Sequence, residues 1–362
     1  MKQTMLTLFV PLLAALCWNT SCDSDDSSDT SGPTPVPPTP QPSSYDIYTA
    51  GYKTVESKAV ATVWKNGTEL YALSDGTSNA WAYGLCIDNG TLYIAGYEEQ
   101  TDGHIVAVLW ENDALKYTLG TTGSNSYAYS VAVSGSDIYA AGSATVNGAL
   151  TATLWQNGNV LYNYSVSPAN SQARTLLLSG TDLYVAGDLQ TGSTQQVAQI
   201  WKNADAYQTL TDGTTPGNIR GLFLADDTLY AAGSSGETAT VWSKDKLLYS
   251  LTDGSSSAEA MSLWMTDGTL YTAGYYTATN TEEQGVVWQN GTQLYTLSNG
   301  TAAGSIPYAI AAWGEDVFTA GTRFGSGRHA TVWKGSEILY ELGRGEAYAM
   351  YVVPNYDDTT GE

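Results

Sequence analysis

The sequence predicts an all-β fold built from seven copies of one four-stranded unit. The first observation is an aromatic-x-Ala-Gly motif that recurs every 41 to 47 residues. Its copies begin at Tyr48, Tyr93, Tyr139, Tyr184, Tyr230, Tyr271 and Phe318. The second is a tryptophan after an apolar run, spaced by 41 to 46 residues: Trp64, Trp110, Trp155, Trp201, Trp242, Trp288 and Trp333. Because two independent markers share one period, the chain is a repeat protein.

Each unit contains four short segments of strand character, which we call A, B, C and D in chain order. In the third unit they read AYSVAV, DIYAAG, TATLW and VLYNY. Their β-branched, apolar and aromatic residues suit a pleated, half-buried surface, and Gly, Asn, Asp and Ser separate them. Four strands in about 45 residues are typical of a propeller blade, so the sequence predicts a seven-bladed β-propeller of four-stranded blades.

The two ends of the repeat array predict a closed ring. The first unit, from Tyr45, has B, C and D segments but no A segment. An A-like segment, Ala347 to Val353, follows the D segment of the last unit. Since an unpaired strand edge is an association hazard, we expect this C-terminal strand to join the N-terminal blade.

The repeat unit resembles NHL- and YVTN-type propeller repeats in its strand order and its LYxAG-like B strand. The run from His329 to Trp333, with Gly335 and the segment from Leu339 to Gly343 beyond it, is similar to the extracellular HAF repeat. The likeness covers residues 45–353 and implies the fold rather than a function. The WD40 hallmark is absent, because Lys, Glu, Gln or Ser follows each repeat tryptophan in place of Asp.

The N-terminal segment predicts export and lipid attachment. Lys2 precedes the apolar run from Met5 to Leu16, which has signal-peptide length and is too short to span a membrane. Cys22, followed by an acidic run, resembles the lipidated cysteine of bacterial outer-membrane lipoproteins. Cys17 is the alternative lipidation site, and an ordinary cleaved signal is the alternative to lipidation.

The predicted domains follow from composition. Residues 1–22 are the lipoprotein signal peptide, and 23–44 form a disordered linker rich in Ser, Thr, Pro and Asp. Residues 45–353 form the propeller and 354–362 an acidic tail. The net charge of −22 opposes nucleic-acid binding, which depends on neutralising phosphates. We therefore expect no nucleic-acid partner. We also expect a monomer that contacts the membrane only through its lipid anchor.

Turn chemistry separates the two faces of the predicted ring. The A-to-B and C-to-D connections are tight, with Asn-Gly pairs at Asn66, Asn157 and Asn290 that favour two-residue hairpins. The B-to-C and D-to-A connections are expected to be longer, to vary between copies and to share the opposite face. Variable loops on a rigid scaffold often carry binding, so we expect the binding face there.

Alignment of the A strands at that face predicts a ring of large side chains around the central channel. The predicted ligand-binding ring contains Trp81, Tyr83, Tyr127, Tyr129, Arg174, Arg220, Tyr308 and Tyr348. Aromatic rings with polar tips suit sugar faces or peptide side chains, and the two arginines can hold a carboxylate. The alternative is structural: the tyrosines pack between blades, and the arginines neutralise acids such as Glu259.

The sequence contains no recognisable motif for a catalytic or metal site. The two histidines, His104 and His329, fall in separate blades, and no motif for a nucleophile or a phosphate loop occurs. The Asp-Gly pairs at Asp212 and Asp253 are interpreted as turns. We expect no cofactor, no metal and no catalytic residues.

Two functions are consistent with these features. The favoured one is a non-enzymatic binding or scaffold lipoprotein, anchored to the bacterial outer membrane and exposed at the surface, which binds a glycan or a protein. The alternative is a lyase or hydrolase of an acidic glycan that uses Arg174, Arg220 and a tyrosine of the mouth.

Overall fold

A computed structural model of the chain describes residues 41–121, 123–165, 169–192, 195–277, 282–297 and 304–357. The predicted signal segment, Cys22 and most of the predicted linker lie outside these residues, as does most of the acidic tail. All regular elements of the described chain are β-strands, and none of its segments forms a helix long and apolar enough to cross a membrane.

The described chain forms 27 strands in five four-stranded sheets and one seven-stranded sheet. Blades 1 to 3 contain β1 (Ser44–Val55), β2 (Lys58–Lys65), β3 (Thr68–Ala72); β4 (Ala80–Asp88), β5 (Thr91–Glu99), β6 (Ile105–Glu111), β7 (Ala114–Thr118); β8 (Ser126–Ser134), β9 (Asp137–Val146), β10 (Ala149–Gln156) and β11 (Asn159–Asn163). Blades 4 and 5 contain β12 (Ser171–Ser179), β13 (Asp182–Gln190), β14 (Gln196–Lys202), β15 (Asp205–Thr209); β16 (Gly217–Ala225), β17 (Thr228–Ser235), β18 (Thr238–Ser243) and β19 (Lys246–Ser250). Blades 6 and 7 contain β20 (Ala258–Thr266), β21 (Thr269–Thr277), β22 (Glu283–Gln289), β23 (Thr292–Thr296); β24 (Ser305–Trp313), β25 (Asp316–Phe324), β26 (Arg328–Lys334) and β27 (Glu337–Asn355).

The last strand closes the ring, as the sequence predicts. Strand β27 pairs with β26 as far as Arg344, and from Gly345 it pairs with β1 instead. It is therefore the D strand of blade 7 and the A strand of blade 1, which explains the seven-stranded sheet. Positive φ angles at Gly343 (+98°) and Gly345 (+145°) let the strand bend where it changes partner. Pairing continues to Asn355, two residues beyond the predicted boundary.

The seven repeat tryptophans fill the spaces between blades. Each is at most 3% exposed and lies in an apolar cluster with residues of the preceding blade. Trp110 of blade 2, for example, packs with Ala50, Ala61 and Val63 of blade 1. The tryptophans are therefore packing residues between blades, which explains why every blade carries one at the same place.

Every A strand contains one β-bulge, at the position where the sequence predicts the ring. The bulged residues are Tyr83, Tyr129, Arg174, Arg220, Met261, Tyr308 and Tyr348. A bulge inserts an unpaired residue, bends its strand and re-aims the side chain. The same irregularity in all seven blades therefore turns one column of side chains together.

The signature glycine of the B strand makes room for this bulge. A Cβ on Gly96 would lie 2.0 Å from the carbonyl oxygen of Trp81, two residues before the bulge. The equivalent distances in the other blades are 1.8 to 2.1 Å, at Gly51, Gly142, Gly187, Gly233, Gly274 and Gly321. These glycines are therefore required for the close approach of two backbones.

The connections differ in part from the prediction. The Asn-Gly pairs at Asn66, Asn157 and Asn290 have positive φ at both residues, as expected for tight hairpins. The expectation of long, variable B-to-C loops is wrong for blades 1, 3 and 5, where two residues join the strands, because the strands pair almost to their ends.

The D-to-A connections are uniform rather than variable. The first five contain seven residues each, from Leu73–Asn79 onward. In three of them an aspartate fixes the turn: the Oδ1 atoms of Asp75, Asp212 and Asp253 accept from the backbone N–H two residues later, at 2.9 Å in each case. The Asp-Gly pairs are therefore turn elements, as predicted.

Deletion of residues 345–362 is expected to destabilise the whole ring. It removes the partner of β1 and leaves an unpaired edge inside blade 1. The midpoint of thermal unfolding measures this, with a deletion from Tyr356 as the control because β27 ends at Asn355. Equal midpoints for the two truncated chains would contradict the role of closure.

Substitution Trp110→Ala is expected to lower the free energy of unfolding by about 3–5 kcal/mol, because it leaves a cavity between two blades. Urea unfolding followed by circular dichroism measures the change. The matched control is Leu247→Ala, since Leu247 is 60% exposed and its truncation is expected to cost less than about 0.5 kcal/mol. A similar cost for both variants would show that the tryptophan is not a packing residue.

Substitution Gly96→Ala is expected to destabilise the chain by at least about 1–3 kcal/mol, because the new methyl group overlaps the Trp81 carbonyl. The control is Gly325→Ala, whose Cβ would meet no atom within 4 Å and whose φ is not positive. Urea unfolding compares the two. A Gly96→Ala protein as stable as the Gly325→Ala protein would refute the requirement for glycine opposite the bulge.

Candidate functional site

The bulged side chains line a cavity of about 570 Å³ at the mouth of the central channel. Six of the eight predicted ring residues contribute to its wall: Tyr83, Tyr129, Arg174, Arg220, Tyr308 and Tyr348. They lie near the start of each A strand, at the face of the D-to-A connections. The wall of the predicted binding face is therefore built by strands more than by loops, which favours a rigid cavity.

Trp81 and Tyr127 lie beside the cavity and do not line it. Both pack against Tyr97, with ring centroids 5.1 Å away in each case. The reason is their position two residues before the bulge, where the strand is still regularly paired with the B strand. They support the ring and do not belong to it.

Blades 1 to 3 form an aromatic sector of the mouth. Tyr348 and Tyr83 are stacked with centroids 4.1 Å apart and planes 8° apart, and Tyr97 stacks on Tyr83 at 5.1 Å. The Tyr97 hydroxyl donates a hydrogen bond to the Tyr83 hydroxyl at 3.0 Å. Tyr129 meets Tyr83 edge-to-face at 5.7 Å. These contacts fix the rings, so the predicted alternative of inter-blade packing is also correct.

Blades 4 to 7 and the start of blade 1 form a charged sector with three ion pairs. Arg174 Nε lies 3.0 Å from Asp188 Oδ1, and Arg220 Nε lies 2.8 Å from Glu259 Oε1. The third pair joins Arg328 Nη1 and Glu346 Oε1 at 2.6 Å. The arginines therefore neutralise nearby acids, as the structural alternative predicts, and Glu259 is one of these acids.

In each ion pair the arginine is more exposed than the acid. The exposed fractions of the arginine side chains are 20%, 27% and 56%, against 7%, 10% and 4% for the paired carboxylates. All three arginines line the cavity, and so do Glu259 and Glu346, whereas Asp188 does not. The guanidinium groups are therefore more accessible from the cavity than the carboxylates with which they pair.

Glu346 connects blade 7 to blade 1. Its carboxylate accepts hydrogen bonds from the Tyr308 hydroxyl at 2.7 Å and the Tyr52 hydroxyl at 3.1 Å, besides its ion pair with Arg328. Burial, followed by the charge of Glu346, raises the pKa of Tyr308 far above its ordinary value. Tyr308 therefore stays protonated and continues to donate to Glu346 at neutral pH.

The protonation states of the mouth are well defined at neutral pH. Burial alone would lower the pKa of Arg220, but the charge and hydrogen bond of Glu259 outweigh burial and raise it. Burial raises the pKa of Tyr129 to about 12. For Tyr275, burial and then the charge of Glu259 raise the pKa to about 12. At neutral pH Arg220 is therefore cationic, and Tyr129 and Tyr275 are neutral.

The sequence analysis does not identify several residues of the site. Tyr52, Tyr97, Asp188 and Tyr275 each follow a signature glycine on a B strand and pair directly with the A-strand residue two before the bulge. The position directly after the signature glycine is the sequence feature that could have identified these four residues. Arg328 begins β26 without any repeated pattern to mark it.

The described residues contain no group of three or more His, Cys, Asp or Glu side chains that could hold a metal ion. His104 precedes β6 in blade 2, and His329 lies in β26 of blade 7. The carboxylates of the mouth are each held by an arginine. Its chemistry is therefore that of hydrogen-bond donors, neutral phenols and aromatic rings.

Comparison with known proteins finds similarity of fold. No family model matches the sequence, and no curated protein matches it. The chain is similar to the WD40 β-propeller domain of Doa1, with 16% identity, coverage of 76% of this chain and 94% of that chain, and a TM-score of 0.44. It is also similar to a chain of the mitotic checkpoint complex, with 14% identity, coverage of 76% and 80%, and a TM-score of 0.45. The seven-bladed propeller rests on the strand order and pairing given above.

Proposed function

We propose that this chain is a non-enzymatic binding protein, and that the mouth of its propeller holds a segment of a glycan. The propeller fold is compatible with a binding or scaffold role. The observation that carries the proposal is the cavity of about 570 Å³, in which a stacked tyrosine sector faces three fixed arginines. Cavities of about 300–1,000 Å³ are typical of small-ligand sites.

A glycan suits this wall better than an apolar ligand. Sugars combine apolar faces with hydroxyl groups, and tyrosine offers an apolar ring and a polar tip at low entropic cost. The Tyr129 hydroxyl has no hydrogen-bond partner among the described residues, so it can bond to a ligand. A protein partner is the other predicted ligand, and the experiment below includes it.

The arrangement favours binding over turnover. A lyase or hydrolase acting on an acidic glycan needs an available base, acid or nucleophile beside the substrate. Each carboxylate of the mouth is engaged by an arginine, and the tyrosines with raised pKa are poor bases at neutral pH.

The N-terminal predictions complete the proposal. The export signal, Cys22 and the linker rich in Ser, Thr and Pro would attach the propeller to the outer membrane and hold it at the bacterial surface. Incorporation of a labelled fatty acid, compared between the natural chain and the variants Cys22→Ala and Cys17→Ala, would distinguish the two cysteines.

Substitution Tyr129→Ala is expected to weaken glycan binding about tenfold, because it removes one aromatic face and one free hydroxyl from the cavity. The measurement is a glycan array followed by titration of the bound glycans. Tyr207→Ala is the control, since Tyr207 is 48% exposed on a D strand away from the mouth.

Three results would contradict the proposal. Unchanged affinity in a correctly folded Tyr129→Ala protein would place the binding site elsewhere. Binding of a protein partner with no glycan bound on the array would replace the glycan with a protein ligand. Release of shortened products from an acidic polysaccharide would replace binding with catalysis.

A further inference from the structure

The arginines of the mouth keep unused hydrogen-bond donors. A guanidinium group carries five N–H donors. Arg174 and Arg220 each contact their carboxylate through Nε, and Arg328 contacts Glu346 through Nη1. The Nη groups of Arg174 and Arg220 have no hydrogen-bond partner within the described ranges. Both arginines line the cavity, so these donors are available to a ligand.

Arg174 and Arg220 line the same cavity as one tyrosine, Tyr129. The guanidinium carbon of Arg174 is 5.7 Å from the centre of the Tyr129 ring. One aromatic ring with a free hydroxyl therefore shares the cavity wall with two arginines of adjacent blades.

The buried acids hold these arginines in place without blocking them. An ion pair with a buried carboxylate fixes the orientation of a guanidinium group, and a planar fork fixed in this way binds a second carboxylate with little further loss of entropy. Since each arginine already shares one negative charge, the mouth suits a single added charge better than the double charge of a phosphate.

From these contacts we infer that the mouth binds the carboxylate of a uronic acid residue, with Arg174 and Arg220 as its ligands and Tyr129 beside the sugar ring. The inference rests on the proposed glycan-binding function and narrows it to acidic sugars. It also predicts that the mouth prefers a negatively charged ligand although the protein as a whole has a net charge of −22.

The experiment compares matched ligands whose carboxyl groups are either free and charged or methylated and neutral. Trisaccharides of galacturonate, glucuronate and mannuronate and their methyl esters are titrated into the purified full-length protein, with binding followed by ligand-observed NMR. The acid form of at least one trisaccharide is expected to bind about tenfold or more tightly than its ester, because hydrogen bonds to charged groups are stronger than neutral ones.

Three variants test the assigned residues. Arg220→Lys keeps the charge and loses the planar fork, so it is expected to lose most of the preference for the acid. The double variant Arg220→Gln/Glu259→Gln removes the pair without leaving a buried unpaired charge, and it is expected to bind acid and ester equally. Arg323→Gln is the control, because Arg323 pairs with the exposed Glu341 and does not line the cavity.

The outcomes separate this inference from the proposed function. Equal binding of acid and ester by the natural protein overturns the inference and leaves glycan binding in place. Loss of the preference in Arg323→Gln as well as in the double variant also overturns it. Binding restricted to sulfated sugars, or to a peptide with a free C-terminal carboxylate, overturns it in favour of that ligand. Failure to bind any glycan contradicts the proposed function itself.

Discussion

The close approach of two backbones at the inner edge of each blade is the constraint on which the mouth depends. An A-strand carbonyl lies where the Cβ of the facing B-strand residue would be, so only glycine fits at that B-strand position. The bulge that follows turns the next side chain toward the cavity. The motif that reveals the repeat in the sequence is therefore also the feature that builds the ring of side chains around the cavity. One glycine in each blade thus serves both the pairing of the strands and the shape of the mouth.

The charge balance of the mouth contrasts with that of the chain. The sequence has a net charge of −22 and only five arginines, yet three of them line this cavity. A buried carboxylate without a partner would be costly, and so would a buried arginine, so the pairs stabilise each other. In each pair the side chain of the acid is more deeply buried than that of the arginine. A locally neutral site can in this way present N–H donors to a ligand.

The fold could be predicted from the sequence because every blade meets the same requirements. A tryptophan such as Trp110 and a glycine such as Gly96 recur since each blade packs on its neighbour in one way. The ion pairs could not be predicted as a set, because partner choice depends on the direction in which each bulge points. Arg174 pairs within its own blade, whereas Arg220 pairs with Glu259 of the next blade. The loops were misjudged because backbone pairing continues through polar residues that resemble loop sequence.

Ring closure and the candidate site at the mouth depend on the same strand. The segment that completes blade 1 supplies Glu346 and Tyr348, and the first of these joins Tyr52 of blade 1 to Tyr308 and Arg328 of blade 7. Tyr348 in turn stacks on Tyr83 of blade 2. An open chain would therefore lose the contact between the charged and the aromatic sectors. The mouth is therefore complete only in the closed ring, and the affinity for the proposed ligand is expected to fall when the ring is opened.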